Sequence, residues 1–305
     1  MTLRADWPVE LVRQLAPLRR GRGDPCHVVV GDRIVWRTAR MPSGTVIARL
    51  RQVGEREVEC LAWGAGAEAF AAGLGDLLGA RDDPGAFAAG HTLIDKLHRA
   101  HAWLRVPRTG LVLEALMGAV LEQRVTVAEA FSARTWLVTR HGEAPPAAPP
   151  SAPPGMVVAP SADMWRAVPS WDFHQAGVDT KRAATLLRCA QHGARLDECA
   201  GMEPLDAVRR LRAVPGIGVW TAAEVRQRAL GDADAVSFGD VHLARFVGYA
   251  LTGAEVDDHG MQELLAPWAG HRFRVIRLLQ LGVAHGVVQT APAIRKPRTR
   301  THLRF

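Results

Sequence analysis

The 305-residue chain has little of what would staple it together or load it with metal. Its four cysteines, Cys26, Cys60, Cys189 and Cys199, are scattered, and only the last two are near neighbours. That spacing excludes a disulfide framework and a cysteine-rich metal centre. Lysine occurs only at positions 96, 181 and 296. No apolar run is long enough to span a bilayer. Residues 1–12 carry Arg4, Asp6 and Glu10 and hold no apolar stretch of signal-peptide length. A cytoplasmic, nucleoid-associated location is the resulting expectation.

What is present is apolar mass and arginine. Apolar residues make up 48% of the chain, enough for a substantial core. The formal net charge is +7 and rests almost wholly on arginine, whose planar fork suits phosphate contacts. The balance favours an acidic partner, with nucleic acid ahead of an anionic membrane. A GC-rich genome is an equal cause of the Arg and Ala excess.

The pattern reads as α+β and mostly α. Residues 26–62 form short strands, with a hairpin turn at Gly31-Asp32 and further breaks at Ser43-Gly44 and Gly54. Helical periodicity appears from Glu68 to Leu78. After residue 90 it dominates: Leu113, Leu116, Met117, Val120 and Leu121 share one face. Asp179 suits the N-cap of a helix over 181–192, and Pro204 a first helical position. Further helices are expected over 219–230 and 240–251. Residues 1–90 are read as a small antiparallel β domain with helices and 91–290 as a helical core. The Pro/Ala-rich run 143–160 cannot form a core element and reads as a connector. The basic tail 291–305 is expected to be disordered. His91, His98 and His101 lack the ligand set of a metal site, and neither metal nor cofactor is expected.

Residues 205–245 carry the functional argument. Two helices flank Val214-Pro215-Gly216-Ile217-Gly218, a glycine turn in which Ile217 plugs the gap between them. The segment is either a plain helix–helix turn or an anion site made by first-turn amides, Thr221 included, in which a DNA phosphate is held without base readout. Asp240 follows at the start of the next expected helix. It is an N-cap by spacing, and the same position suits an ionised carboxylate that stabilises positive charge growing on a sugar.

Hairpin, helix, Gly-containing loop, then Asp resembles the helix-hairpin-helix DNA glycosylases. VPGIGVWTA at 214–222, with Asp240 20 residues after Trp220, is similar to their alkyladenine (AlkA-type) branch. ALMGAVLEQRVTVAEAFSAR at 115–134, GVDTKRAATLL at 177–187 and WGAGAEA at 63–69 resemble further blocks of that branch, in the same order.

The resemblance implies a helical core in two subdomains, with a damaged nucleotide extruded from double-stranded DNA into the cleft between them. It implies Asp240 as catalytic carboxylate, Trp220 and Glu224 as base-pocket residues, and Gln123 and Arg124 in the turn that wedges into the duplex. Arg124 stands where the family often has an apolar residue, and reads equally as an exposed helix-end arginine. Trp220 reads as a pocket wall or as core. Glu224 replaces a second aromatic and faces the pocket as an acceptor, and 277–283 holds no pocket aromatic. Trp220 also occupies the position of the lysine nucleophile of strand-cleaving relatives, which implies a monofunctional hydrolase; a monomer is the default for an enzyme that acts on a single lesion. No cysteine follows Cys199, against an iron–sulfur branch. A cationic lesion such as 3-methyladenine leaves without protonation, which fits a lone Asp240. His242, two residues on, is expected to point elsewhere. The competing reading is a lesion-binding protein that has lost catalysis.

Overall fold

The computed structural model describes residues 1–289; the basic tail expected from the sequence lies outside them. Five strands, β1 (Thr2–Arg4), β2 (His27–Val30), β3 (Ile34–Met41), β4 (Gly44–Gln52) and β5 (Glu57–Trp63), form one antiparallel sheet in the order β1-β5-β4-β3-β2. The edge strand β1, paired Leu3 to Val58, is three residues long, too short to show alternation in the sequence.

Both faces of the sheet are covered. Val35, Ala39, Val46, Ala48, Leu50, Val58 and Cys60 pack with α1 (Leu11–Leu15), α2 (Ala67–Ala72) and α3 (Leu74–Leu77). The single helix expected over 68–78 is divided at Gly73, which caps α2. On the other face Trp36 and Ile47 need cover, and the proline-rich connector supplies it: Met156 packs on both. Val158 is fully buried, and the Thr38 hydroxyl donates to the Val157 carbonyl at 2.5 Å. The connector therefore does contribute to a core, contrary to expectation, because it carries Met156, Val157 and Val158 after its last proline pair.

Among the described residues twelve helices follow: α4 (Thr92–Ala100), α5 (Val112–Leu121), α6 (Val127–His141), α7 (Ala162–Arg166), α8 (Ser170–Gln175), α9 (Thr180–Gln191), α10 (Gly193–Asp197), α11 (Pro204–Arg212), α12 (Val219–Val225), α13 (Leu243–Thr252), α14 (Asp258–Leu265) and α15 (Arg272–Ala284). Their starts obey capping chemistry. Asp179 accepts from the Lys181 and Arg182 amides, Thr126 and Glu129 form a capping box, and Pro204 opens α11. Helix α5 is buried on nearly all sides and forms the centre of its cluster.

The helices pack into two apolar clusters, nested in the chain. One, spanning Val112 to Ala229, gathers α5 to α12 around Leu116, Phe173, Leu186 and Leu211. The other joins Phe87–Leu104 to Val236–Val288 and gathers α4, α13, α14 and α15. The chain thus leaves the second cluster, builds the first, and returns. A fully buried ion pair, Asp82 with Arg274, ties the loop before α4 to α15. The return passes through residues 230–243, and there the functional side chains converge.

Candidate active site

The hairpin joins α11 to α12. Val214 and Ile217 are buried, and the Ile217 amide donates to the Val214 carbonyl at 3.0 Å. Gly216 has φ +101°, and a Cβ there would stand 2.3 Å from Thr185 Oγ1 on α9. Only glycine fits. Gly218 is different: its backbone is extended and the space beyond it is open. The turn therefore has a crowded inner glycine and an open outer one, followed by first-turn amides that no helical carbonyl can satisfy.

The two residues expected as a wedge part company. Gln123 turns onto the hairpin, its amide donating to the Gly216 carbonyl at 3.0 Å and to Thr221 Oγ1 at 2.9 Å. It positions the turn and does not project from it. Thr221 itself is buried, so its side chain braces the hairpin from within. Arg124 is exposed at the tip of the α5–α6 connection with φ +56°, a left-handed conformation unusual for arginine. Of the pair, only Arg124 projects to solvent.

Asp240 precedes α13. The expected helix over 240–251 begins at Leu243 instead, because the Asp240 carboxylate folds the preceding residues into a turn. Its Oδ1 accepts from the His242 and Leu243 amides at 2.9 and 3.0 Å, and its Oδ2 from the Trp220 indole at 3.1 Å. Three donors thereby fix one carboxylate. Trp220 is half-buried against the first apolar cluster and is not among the residues lining the cavity beside it. Its indole donates to Asp240, and its ring packs on the apolar cluster.

That cavity, of about 370 Å³, opens between the two helical clusters. Glu224 and Gln227 reach it from the helix begun by α12, which continues through a π-helical turn at Arg226–Leu230. Ser237, Asp240, His242, Leu243 and Phe246 reach it from the return segment and α13, and Phe273, Ile276, Gln280 and Val283 from α15. Of these the sequence singled out only Glu224 and Asp240. His242 lies ahead of the helix, not within it, so helical spacing does not turn it away. Phe246 and Phe273 supply the aromatic surface sought in vain at 277–283; Phe273 stands one turn earlier.

Glu224 lines the cavity, and both its oxygens are engaged. Oε1 accepts from Ser237 Oγ at 2.6 Å and Oε2 from Arg228 at 2.6 Å. Burial alone would lower the Arg228 guanidinium; Glu224 and Glu122 outweigh it and hold Arg228 above its ordinary pKa. Arg20, buried beside it and paired with Glu122, is pulled below its ordinary value by burial and by the Arg228 charge. Because Glu122 adjoins Gln123 and Arg124, this buried quartet links the cavity wall to the exposed loop tip.

The arrangement offers a fixed carboxylate at the mouth of a purine-sized cavity, an exposed arginine, and a glycine turn with free amides. No protein-family model matches the chain, and no curated protein matches it by sequence. The fold does match solved structures. It superimposes on a 3-methyladenine DNA glycosylase from Archaeoglobus fulgidus with TM-score 0.76 at 17% identity, covering 91% of this chain and 96% of that one. It superimposes on the 8-oxoguanine glycosylase/lyase of Clostridium acetobutylicum, in complex with double-stranded DNA, with TM-score 0.67 at 12% identity, covering 94% and 98%. The chain shares the fold of these two DNA glycosylases. Among the described residues no helix is long and apolar enough to cross a membrane.

Proposed function

We infer that the protein is a monofunctional DNA N-glycosylase that excises alkylated purines from duplex DNA and leaves an abasic site. The carrying observation is Asp240: its carboxylate lines the cavity and is fixed by three neutral donors, one of them the indole of Trp220 in the first turn of the helix that follows the Gly216–Gly218 hairpin.

In this reading the hairpin amides hold a phosphate, Arg124 fills the gap left in the duplex, and the extruded base enters the cavity against Phe246 and Phe273. As the C1′–N bond of a cationic N-alkylated purine breaks, the bonding electron pair goes to the base, which leaves neutral. Positive charge develops on the deoxyribose, and the Asp240 carboxylate stabilises it electrostatically. Water then adds hydroxide to C1′ and releases a proton. A lysine nucleophile is the alternative chemistry, but Trp220 occupies the corresponding position and no lysine lines the cavity. Borohydride should therefore trap no protein–DNA adduct.

The test is release of methylated bases from randomly methylated duplex DNA by wild type and by Asp240→Asn. Release by the wild type and its loss in the variant support the reading. Equal release by both would show that another group does the chemistry; lesion binding without release by either would leave a damage-binding protein.

A further inference from the structure

The cavity has a wet end and a dry-walled polar end, and the second has a definite hydrogen-bonding character. Asp240 is half-buried and His242 exposed, which marks the mouth, and Gln280 is also exposed. Glu224, Gln227 and Ser237 are all buried and form the deep end. There every donor is consumed internally. Both hydrogens of the Gln227 amide are used, one on the Ala235 carbonyl at 2.8 Å and one on Ser237 Oγ at 2.9 Å. The Ser237 hydroxyl gives its only hydrogen to Glu224. Arg228, which does not line the cavity, donates through Nη1 to the Glu224 carboxylate and carbonyl and through Nε to the Pro17 carbonyl. What remains for a ligand is lone pairs, on the Glu224 carboxylate and the Gln227 carbonyl oxygen.

We propose that Glu224 is a specificity-determining residue that selects purines with an amino group at C6 over purines with a keto group there. The proposal rests on the glycosylase reading and deepens it. A purine whose glycosidic bond lies at Asp240 turns its six-membered ring toward the deep end, so the C6 substituent is what Glu224 and Gln227 meet. An amino group donates to them. A keto oxygen sets lone pair against lone pair in a site from which water is displaced, and leaves buried acceptors unmatched. The apolar walls, Leu243, Phe246, Phe273, Ile276 and Val283, grip either ring alike and give no such discrimination.

Methylated duplex DNA supplies the comparison, since it contains both 3-methyladenine and 3-methylguanine. These are cationic lesions alkylated at the same nitrogen, and they differ at C6 and C2. The wild type is expected to release 3-methyladenine at least about tenfold faster. Glu224→Gln, whose amide offers a donor as well as an acceptor, is expected to bring the ratio toward one, while Asp240→Asn loses both activities together. Equal release of the two bases by the wild type would overturn the proposal even if Glu224→Gln fails to fold. So would a Glu224→Gln enzyme that slows both in proportion, since that marks a structural role. Absence of any release by the wild type would instead fell the glycosylase reading on which the proposal stands.

Discussion

Two carboxylates face the same cavity and are held in opposite ways. Asp240 is fixed by two backbone amides and an indole, all neutral. Glu224 is fixed by a hydroxyl and by the Arg228 guanidinium. Neutral donors orient a carboxylate without cancelling its charge, whereas an ion pair cancels the charge and leaves the direction of the lone pairs. One functional group thus provides an electrostatic site at the mouth and a hydrogen-bonding site at the floor, and the partners decide which.

That contrast can be broken at either end. The largest effect is expected at the mouth. Asp240→Asn keeps an acceptor for the two amides but removes the charge, and should lower single-turnover base release by roughly 10²–10³-fold or more with little change in thermal stability. A variant that stays fast would mean that the charge at the mouth is idle. The next effect is expected at the floor and in a different quantity. Arg228→Met leaves the Glu224 carboxylate buried without its cation, and should cost about 3 kcal/mol in denaturant unfolding. If stability is unchanged, the ion pair is not what holds the floor.

The sequence made parts of this legible and not others, for physical reasons. The hairpin and Asp240 were readable because glycines and a capping aspartate act locally, within a few residues of where they stand. The caps at Asp179 and Pro204 were readable for the same reason. The partners of those residues were not. Gln123 faces the hairpin across nearly a hundred residues of sequence, Trp220 turns its indole to Asp240, and Phe273 enters the cavity from the far end of the chain. Each depends on how helices pack, which no local spacing encodes. The mistaken helix start at 240 shows the same limit at short range. A carboxylate that caps from two residues upstream looks like one that opens the helix, and the difference decides where His242 points.

A smaller change sharpens the account of the mouth. Trp220→Phe keeps a ring for the apolar cluster but removes the N–H that meets Asp240 Oδ2. A hydrogen bond to a charged group is worth about 1.5–3 kcal/mol, so kcat should fall by about tenfold or more while KM holds. If instead KM rises and kcat holds, Trp220 contacts the base after all, and its role is that of a pocket wall.

The smallest expected effect separates both carboxylates from the grip on the strand. Gly216 cannot report on it, because its positive φ and the Thr185 hydroxyl make any side chain there a folding defect. Gly218 can. Its extended backbone suits any residue and its Cβ position opens to solvent, so Gly218→Ala should leave stability within about 0.5 kcal/mol. The added methyl stands where a phosphate would approach the α12 amides. Affinity for duplex DNA should fall about fivefold, equally for damaged and undamaged sequences, because backbone contacts carry no base information. Base release from bound substrate should keep its rate, since neither Asp240 nor Glu224 has moved. A variant that binds as the wild type does would place the strand elsewhere on the surface; one that loses affinity only for damaged DNA would join the turn to the cavity and undo the separation of grip from chemistry.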